Sequence, residues 1–173
     1  MKDYVILVNA KNKSLGTMEK LAAHSDKTPL HRAFSLFLFN QQGELLLQQR
    51  SHKKKTWPLV WTNSVCGHPK LYESPIKAAK RRLKFELGID NAEISMALPD
   101  YRYRAEKDGI VENEICPVMV GYTNEYPKPN SEEVEAIRWV PWKEWLLEVE
   151  KNAENYSPWC VEETKLLIKN KKI

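Results

Sequence analysis

The feature that most constrains the fold is the run from Ala33 to Phe39, in which all residues but one are apolar or aromatic. A strand without alternating polar residues is buried on both faces, as it is at the centre of a covered sheet. A turn at Asn40–Gly43 follows, and the next segment, Glu44–Arg50, contains three consecutive leucines. Together these segments predict a buried hairpin, with other elements packed against both faces of its sheet.

The clearest helix signal lies between Ser74 and Gly88. Ser74 is suited to the N-cap, Pro75 to the first helical position, and Gly88 to the position just past the end. Between these caps, apolar residues recur at steps of three and four, namely Ile76, Ala79, Leu83 and Leu87. The pattern predicts a helix from Ser74 to Leu87 whose apolar stripe packs on the sheet.

Further elements are indicated along the rest of the chain. Apolar patterns predict strands at Tyr4–Val8, Ser14–Met18, Val111–Tyr122 and Val134–Val140, and proline predicts helices that begin at Pro141 and at Ser157–Pro158. Strands interrupted by separated helices predict an α/β (α+β) fold with a central mixed sheet covered on both faces and an N-terminal hairpin. We expect one domain over residues 1–173, since no repeat or linker divides the chain.

Charge and cysteine content narrow the class of protein. The chain carries a formal net charge of +4, which suits an anionic small molecule and gives little support for a nucleic acid partner. An odd set of cysteines, Cys66, Cys116 and Cys160, predicts reduced thiols in a cytoplasmic protein. The apolar run Val5–Val8 is too short for a membrane span, so we expect no membrane association. We also expect a monomer or a weak dimer.

Two short motifs place chemically useful side chains on one face of an extended segment. Cys66 and His68 are two residues apart, and so are Glu112 and Glu114. Side chains at this spacing share one face of a strand. Two carboxylates on one face of a buried strand repel each other unless a cation or a proton intervenes. The second motif therefore indicates a metal site.

Histidines supply further candidate ligands for that metal. His24 and His31 lie in a segment without helix or strand periodicity, and His68 belongs to the first motif. With Glu112 and Glu114 they form a possible set of three nitrogen and two oxygen ligands, which suits Mn²⁺, Zn²⁺ or Fe²⁺. No pair has the spacing of a zinc finger or of an H-E-x-x-H helix, so spacing alone also leaves ordinary loop or core histidines open.

The segment from Gly67 to Gly88 resembles the Nudix box, G-x5-E-x7-R-E-U-x-E-E-x-G-U, where U is an aliphatic residue. Glu73 and Arg81 stand at the required distances from Gly67. In that family the loop and the helix present carboxylates to a divalent metal that holds a diphosphate, since hard cations prefer oxygen ligands. The resemblance therefore implies a diphosphate substrate.

Two departures from the box bear on the reaction. Arg82 and Phe85 stand where the family pattern has glutamates, and only Glu86 of the helical carboxylate cluster remains. A cluster that binds metal and activates water has thereby lost most of its charge. Hydrolysis is disfavoured, and Arg82 offers a planar, permanently charged donor to a diphosphate oxygen.

The sequence also resembles the type I isopentenyl-diphosphate isomerases, a family with the Nudix fold. The motifs that carry this likeness are T-N-S-V-C-G-H-P at Thr62–Pro69, Y-R-Y-R-A at Tyr101–Ala105, E-N-E at Glu112–Glu114 and S-P-W at Ser157–Trp159. The likeness implies a Nudix-type α/β/α sandwich. It also implies an enzyme of isoprenoid biosynthesis that interconverts isopentenyl diphosphate and dimethylallyl diphosphate through a tertiary carbocation.

The resemblance assigns roles to the metal-binding residues. The implied ligands of a transition-type divalent metal are His24, His31, His68, Glu112 and Glu114. Glu86 is implied to help hold Mg²⁺ on the diphosphate, and no flavin is implied.

The resemblance also assigns the catalytic and head-group positions. Cys66 and Glu114 form the implied acid–base pair on opposite sides of the substrate, and Tyr103 supports proton delivery beside Glu114. Trp159 is implied to lie against the hydrocarbon, where an indole face stabilises a cation. The implied diphosphate-binding residues are Lys20, Arg50, Lys54 and Arg82.

Two other functions compete with this interpretation. A Nudix diphosphatase would cleave a nucleoside or prenyl diphosphate, but the missing helical glutamates count against it. A Nudix-fold module without enzyme activity would bind metal or RNA through Lys53–Lys55 and the basic C-terminal run. A lysine run is more often a solvated loop, and RNA binding would have to show a salt-dependent affinity.

Overall fold

The computed structural model describes residues 3–173. Its strands are β1 (Tyr4–Val8), β2 (Ser14–Glu19), β3 (His31–Arg32), β4 (Phe34–Phe39), β5 (Glu44–Arg50), β6 (Trp61–Thr62), β7 (Val65–Gly67), β8 (Glu93–Leu98), β9 (Arg102–Lys107), β10 (Ile110–Ile115), β11 (Val118–Tyr122) and β12 (Val134–Pro141). Its helices are α1 (Lys20–Ala23), α2 (Pro75–Leu87), α3 (Trp142–Lys151) and α4 (Pro158–Lys169). In this part of the chain, none of them has both the length and the apolar character needed to cross a bilayer.

The strands form two mixed sheets. The larger has the order β12-β5-β4-β11-β8, with β6 added to β5 and β7 added to β4, and β4 pairs in parallel with β11. The smaller has the order β2-β1-β3-β10-β9, and β3 runs parallel to β10. The predicted class, a mixed sheet between helices with an N-terminal hairpin, is confirmed, although the strands divide into two sheets.

Helices cover both faces of the larger sheet. Along β4 every residue is buried, as predicted for a central strand, and successive side chains enter different cores. One core joins Phe34, Leu36 and Leu38 to α2. The other joins Phe37 and Phe39 to α3 and α4. This alternation produces the α/β/α layering, because neighbouring side chains of a strand point to opposite faces.

The predicted helix caps are present at both ends of α2. The Ser74 hydroxyl accepts a hydrogen bond from the Lys77 N–H at 3.3 Å, which satisfies one free N–H of the first turn. Gly88 ends the helix in the left-handed region at φ +65°, and its N–H donates to the Lys84 carbonyl at 2.9 Å. A Cβ at residue 88 would also lie 3.1 Å from the Cβ of Lys128. The caps fix where the helix begins, and so position the Nudix-like segment.

The segment Val111–Tyr122, predicted as one strand, is two strands in different sheets. The break falls at Cys116 and Pro117, where proline lacks an N–H for a ladder and the Cys116 N–H donates to the Tyr101 carbonyl at 2.9 Å. Strands β8 and β9, which the sequence did not indicate, pair with β11 and β10. The short crossing brings the carboxylates of β10 close to the larger sheet.

Candidate active site

Residues from both sheets, from α2 and from α4 enclose a cavity of about 420 Å³. Most of the predicted site residues line it, namely Lys20, Arg50, Lys54, Cys66, His68, Arg82, Tyr103, Glu112, Glu114 and Trp159. Three predicted residues do not line this cavity. His24 and His31 contact its carboxylates, and Glu86 contacts Arg82. The fold therefore places all of the predicted site residues in this cavity or in contact with residues that line it.

Three histidines and Glu114 form a compact cluster of possible metal ligands. One ligand atom from each of His24, His31, His68 and Glu114 lies within 4.8 Å of the others. The Glu114 Oε1 is 3.3 Å from the His31 Nε2 and 3.0 Å from the His68 Nε2, and these two nitrogens are 3.2 Å apart. Such convergence of nitrogen and carboxylate donors is compatible with binding a divalent metal.

Backbone carbonyls orient two of the histidine rings. The Nδ1 of His24 lies 2.7 Å from the Lys20 carbonyl, and the Nδ1 of His31 lies 2.9 Å from the Pro29 carbonyl. Donation of Nδ1–H to these carbonyls would leave each Nε2 lone pair available to a metal, in place of the contacts that these nitrogens make with Glu112 and Glu114. The surrounding backbone thus selects the ring orientation that a metal ligand needs.

Burial and hydrogen bonding set the protonation states in the cluster. Burial lowers the pKa of His68 to about 3, although Glu114 opposes the shift, so its ring is neutral. Burial would raise the pKa of Glu114, but hydrogen bonds from His31 and His68 outweigh it and hold the pKa well below its usual range. A neutral imidazole and an ionised carboxylate are the ligand forms that metals bind.

Glu112 lies at the edge of this cluster and not within its most compact group. Its Oε2 is 3.0 Å from the His24 Nε2 and is buried, yet it accepts no well-directed hydrogen bond among residues 3–173. A buried carboxylate oxygen that accepts no hydrogen bond is costly unless a cation satisfies it. The donor set therefore fits a divalent cation held between the histidines and the two glutamates.

Tyr103 supports the second oxygen of Glu114. The Tyr103 hydroxyl donates to the Glu114 Oε2 at 2.7 Å, while Oε1 faces the histidines. Burial and the negative charge of Glu114 raise the pKa of Tyr103 well above its usual value, so the phenol remains a proton donor. The Tyr103 ring also lies 5.6 Å from the Trp159 ring, which makes these two aromatics one wall of the cavity.

Cys66 lies at the centre of β7, which pairs with β4. Its thiol donates to the Asn63 Oδ1 at 2.9 Å, and its Sγ is 3.6 Å from the Ser35 hydroxyl oxygen. Burial, together with the charge of Glu163, raises the pKa of Cys66 to about 12. The free protein therefore holds this residue as a neutral thiol.

Cationic side chains converge at the other end of the cavity. Burial, followed by the charges of Lys54, Arg50 and Arg82, lowers the pKa of Lys20 to about 8. Lys20, Arg50, Lys54 and Arg82 all line the same cavity, so their charges act on one another. The arrangement is suited to a ligand that carries several negative charges.

Carboxylates already pair with part of this cationic group. Glu133, which sequence reasoning missed, forms ion pairs with Lys54 and, at 2.9 Å, with the Arg82 Nη2. Glu86 accepts from the Arg82 Nε at 2.8 Å and from the Gln48 Nε2 at 3.1 Å. Each oxygen of Glu86 thus has a partner, and its predicted contact with Mg²⁺ would use the lone pairs that these hydrogen bonds leave available.

Glu163 is a second carboxyl that sequence reasoning missed. It is fully buried on α4, and neither of its oxygens has a hydrogen-bond partner in the described part of the chain. Burial, with a further contribution from the charge of Glu114, raises its pKa well above the usual range. Its helical spacing to the buried residues Cys160, Thr164 and Leu167 was a usable signal that it faces the interior.

The model of the NUDIX domain matches residues 29–160. An isopentenyl-diphosphate Delta-isomerase of Saccharopolyspora erythraea is 44% identical over 167 residues, covering 96% of this chain and 86% of the relative. A protein of the same description from Klebsiella pneumoniae is 46% identical over 160 residues, covering 92% of this chain and 87% of the relative.

Solved structures show the same fold at lower identity. A crystal structure from Deinococcus radiodurans has a TM-score of 0.74 at 19% identity and covers 94% of this chain and 98% of its own. The MutT protein from Methanosarcina mazei has a TM-score of 0.67 at 20% identity and covers 85% of this chain and 99% of its own. These two likenesses concern the fold alone.

Proposed function

This chain belongs to the isopentenyl-diphosphate Delta-isomerases within the NUDIX proteins, and we propose how its cavity carries out the corresponding isomerisation. One proton is added to the terminal alkene carbon of isopentenyl diphosphate. Another is removed from the methylene group that is bonded to the substituted alkene carbon. The double bond moves through a tertiary carbocation to give dimethylallyl diphosphate. No bond to phosphorus breaks, and the product has the same composition as the substrate.

The observation that carries the proposal is the shared cavity of Cys66 and Glu114, with cationic residues at its other end. An anionic head group bound there would leave the hydrocarbon between a thiol and a carboxyl. Positioning the alkene between two proton-transfer groups supplies the geometry that general acid–base catalysis needs. A hydrolase would need a group that activates water, and the helix retains only Glu86 of that cluster.

Cys66 and Glu114 act as the acid–base pair in this proposal. In the free protein the thiol holds its proton, while hydrogen bonds stabilise the carboxylate of Glu114. The reaction is reversible. The group that is protonated when the substrate binds acts as the acid, and the other group acts as the base. Tyr103 supports the carboxyl of Glu114 in either direction through its 2.7 Å hydrogen bond.

A divalent metal would be held by His24, His31, His68, Glu112 and Glu114, and the donor chemistry suits Mn²⁺, Zn²⁺ or Fe²⁺. When bound, it would fix the Glu114 carboxyl and stabilise its charge. Mg²⁺ would accompany the diphosphate, with Glu86 as its protein ligand. In the chain itself, the histidine rings and Tyr103 keep both oxygens of Glu114 in place.

Trp159 and Tyr103 form the wall that would face the carbocation. An aromatic face stabilises a cation by about 0.5 to 2 kcal/mol, and by more where water is excluded. Exclusion of water is also a chemical requirement, because water would trap the cation as an alcohol. Trp159 is 3% exposed, which supports a dry surface at this position.

Lys20, Arg50, Lys54 and Arg82 would bind the diphosphate. Arginine provides planar paired donors and lysine provides compact charges, both of which suit phosphate oxygens. The proposal extends to a cytoplasmic protein that acts on this small molecule as a monomer or a weak dimer.

Proton NMR of isopentenyl diphosphate tests the proposal when protein, Mg²⁺ and Mn²⁺ are present. We expect dimethylallyl diphosphate to accumulate to an equilibrium, with deuterium incorporated when the solvent is heavy water. Release of inorganic phosphate or diphosphate would instead support the diphosphatase alternative. An unchanged substrate spectrum with metal-loaded, folded protein would contradict the proposed isomerase.

A further inference from the structure

The segment that follows β5 has an unusual backbone. Trp57 and Leu59 have positive φ angles of +46° and +59°, although neither is glycine. A large side chain at positive φ is strained, and the position before a proline, here Pro58, is restricted further. Such a conformation persists only where the surrounding structure holds it in place.

Two neighbouring side chains of β5 hold this segment: the Gln49 Nε2 donates to the Leu59 carbonyl at 2.9 Å, and Arg50 makes the other contacts. Its Nε donates to the carbonyls of Thr56 and Trp57 at 3.2 and 3.0 Å, and its Nη2 donates to the Thr56 carbonyl at 2.8 Å. Arg50 also lines the cavity, so one guanidinium both anchors the segment and borders the proposed head-group site.

The anchored segment places the Trp57 ring behind Trp159. The two ring centroids are 5.3 Å apart at an interplanar angle of 76°, an edge-to-face contact. Trp57 is 4% exposed and borders a groove on the other side of α4, so it does not line the cavity. Trp159 in turn packs against Tyr103, which bonds to Glu114.

We propose that Trp57 is a positioning residue that fixes Trp159 and Tyr103 against the alkene, and that Arg50 connects the diphosphate site to this aromatic wall. The inference rests on the proposed isomerisation and adds to it a residue that does not touch the substrate. Stabilisation of a cation by an aromatic ring depends on the distance and angle of the ring face. A wall that moves also admits water, and water converts the cation to a tertiary alcohol with release of one proton.

Replacing Trp57 tests the support given to Trp159. We expect Trp57→Leu to lower kcat about tenfold, to leave KM nearly unchanged, and to divert part of the product to the tertiary alcohol. Trp57→Phe keeps an aromatic edge and should retain much of the activity. It also provides the test if the leucine variant does not fold. Trp142→Phe is the matched control, because this half-buried tryptophan packs on Phe39 and lies outside the cavity.

Arg50→Lys tests the connection to the head group. Lysine keeps the positive charge but lacks the planar donors that reach both carbonyls. Because Arg50 also borders the proposed head-group site, we expect some loss of affinity for inorganic diphosphate but a larger loss of kcat, with an alcohol fraction that follows that of Trp57→Leu. Combining it with Trp57→Leu should add little further loss, since both changes loosen one wall.

The possible outcomes distinguish this inference from the isomerase proposal. Wild-type kcat without alcohol in both Trp57 variants would overturn it. So would equal losses of diphosphate affinity and catalysis in Arg50→Lys, because they would indicate head-group binding alone. A parent protein that does not isomerise the substrate would contradict the proposed function itself.

Discussion

His31 and Glu114 are direct partners in the parallel pairing of β3 with β10. Their side-chain atoms Nε2 and Oε1 lie 3.3 Å apart as a consequence of this register. A backbone pairing thus preorganises two of the donors before any cation binds. Since the rings of His24 and His31 are oriented by backbone carbonyls as well, the site depends little on flexible side chains.

Metal binding should depend on His31 and not on His52. We expect His31→Gln to lower Mn²⁺ or Zn²⁺ affinity by at least about tenfold, measured as metal retained after dialysis. His52→Gln is the matched control, since this exposed ring pairs with Glu135 away from the cluster. Chelator-treated parent protein should be inactive and should recover with Mg²⁺ plus a transition metal. Full activity after complete chelation would contradict the ligand set.

Cys66→Ala and Glu114→Gln should each abolish isomerisation while leaving the fold intact. Loss of a positioned proton-transfer group costs about 10²- to 10⁴-fold in rate. The measurement is kcat by NMR, together with circular dichroism to verify folding. Cys160→Ala is the control, because this buried cysteine of α4 does not line the cavity. Near-normal turnover in either active-site variant would remove that residue from the mechanism.

Diphosphate affinity should fall as pH rises through about 8, because burial and neighbouring cations lower the pKa of Lys20 to about 8. Above this pH the free protein has lost the Lys20 charge, whereas a bound anion favours the protonated form, so binding must take up a proton. Calorimetry with inorganic diphosphate in buffers of different ionisation enthalpy measures this uptake. Lys20→Met should lack it, and comparison with this variant removes the ionisation of the ligand itself. Identical uptake in both proteins would disprove the assignment.

Glu163 should make the fold less stable at higher pH. Its pKa is raised in the native state by burial, so the native protein keeps a proton that the unfolded chain releases. The resulting loss in the free energy of unfolding is absent at pH values below the ordinary pKa of a glutamate. Above that pKa it grows by about 1.4 kcal/mol per pH unit until the native carboxyl ionises. Above that point it remains constant.

Urea unfolding of Glu163→Gln across this pH range checks the sign. The variant lacks the titrating group. As pH rises, the free energy of unfolding of the variant should therefore increase relative to that of the parent. Glu154→Gln is the control, because this glutamate is exposed and its substitution should leave the pH profile unchanged. A constant difference between parent and Glu163→Gln would show that the carboxyl does not titrate in this way.

Local sequence patterns predicted the parts of the fold that local interactions determine. Ser74 and Gly88 have the conformations that cap residues need, and these bounded α2 correctly. The spacing of Glu112 and Glu114 placed both carboxylates on one face of β10, and both line the cavity. Such features depend on neighbours in the chain, so a single sequence is enough to indicate them.

Tertiary contacts determined what the sequence left out. The crossing at Cys116 and Pro117 looks continuous by hydropathy, and only the pairing with β3 and β4 separates the two strands. Glu133 joins the cationic cluster from a segment 51 residues beyond Arg82, as its hydrogen bond shows. The sequence predicted Lys54 and Arg82 as cations near a diphosphate. It did not indicate which carboxylate would pair with these two side chains.

The pairing of Glu133 with Lys54 and Arg82 has a consequence for turnover. An incoming diphosphate does not meet bare positive charge there, since it must exchange places with a carboxylate attached to the protein. Exchange limits the net gain in free energy on binding. Substrate and product carry the same head group, so the return of the Glu133 carboxylate to its cations would weaken the binding of both alike.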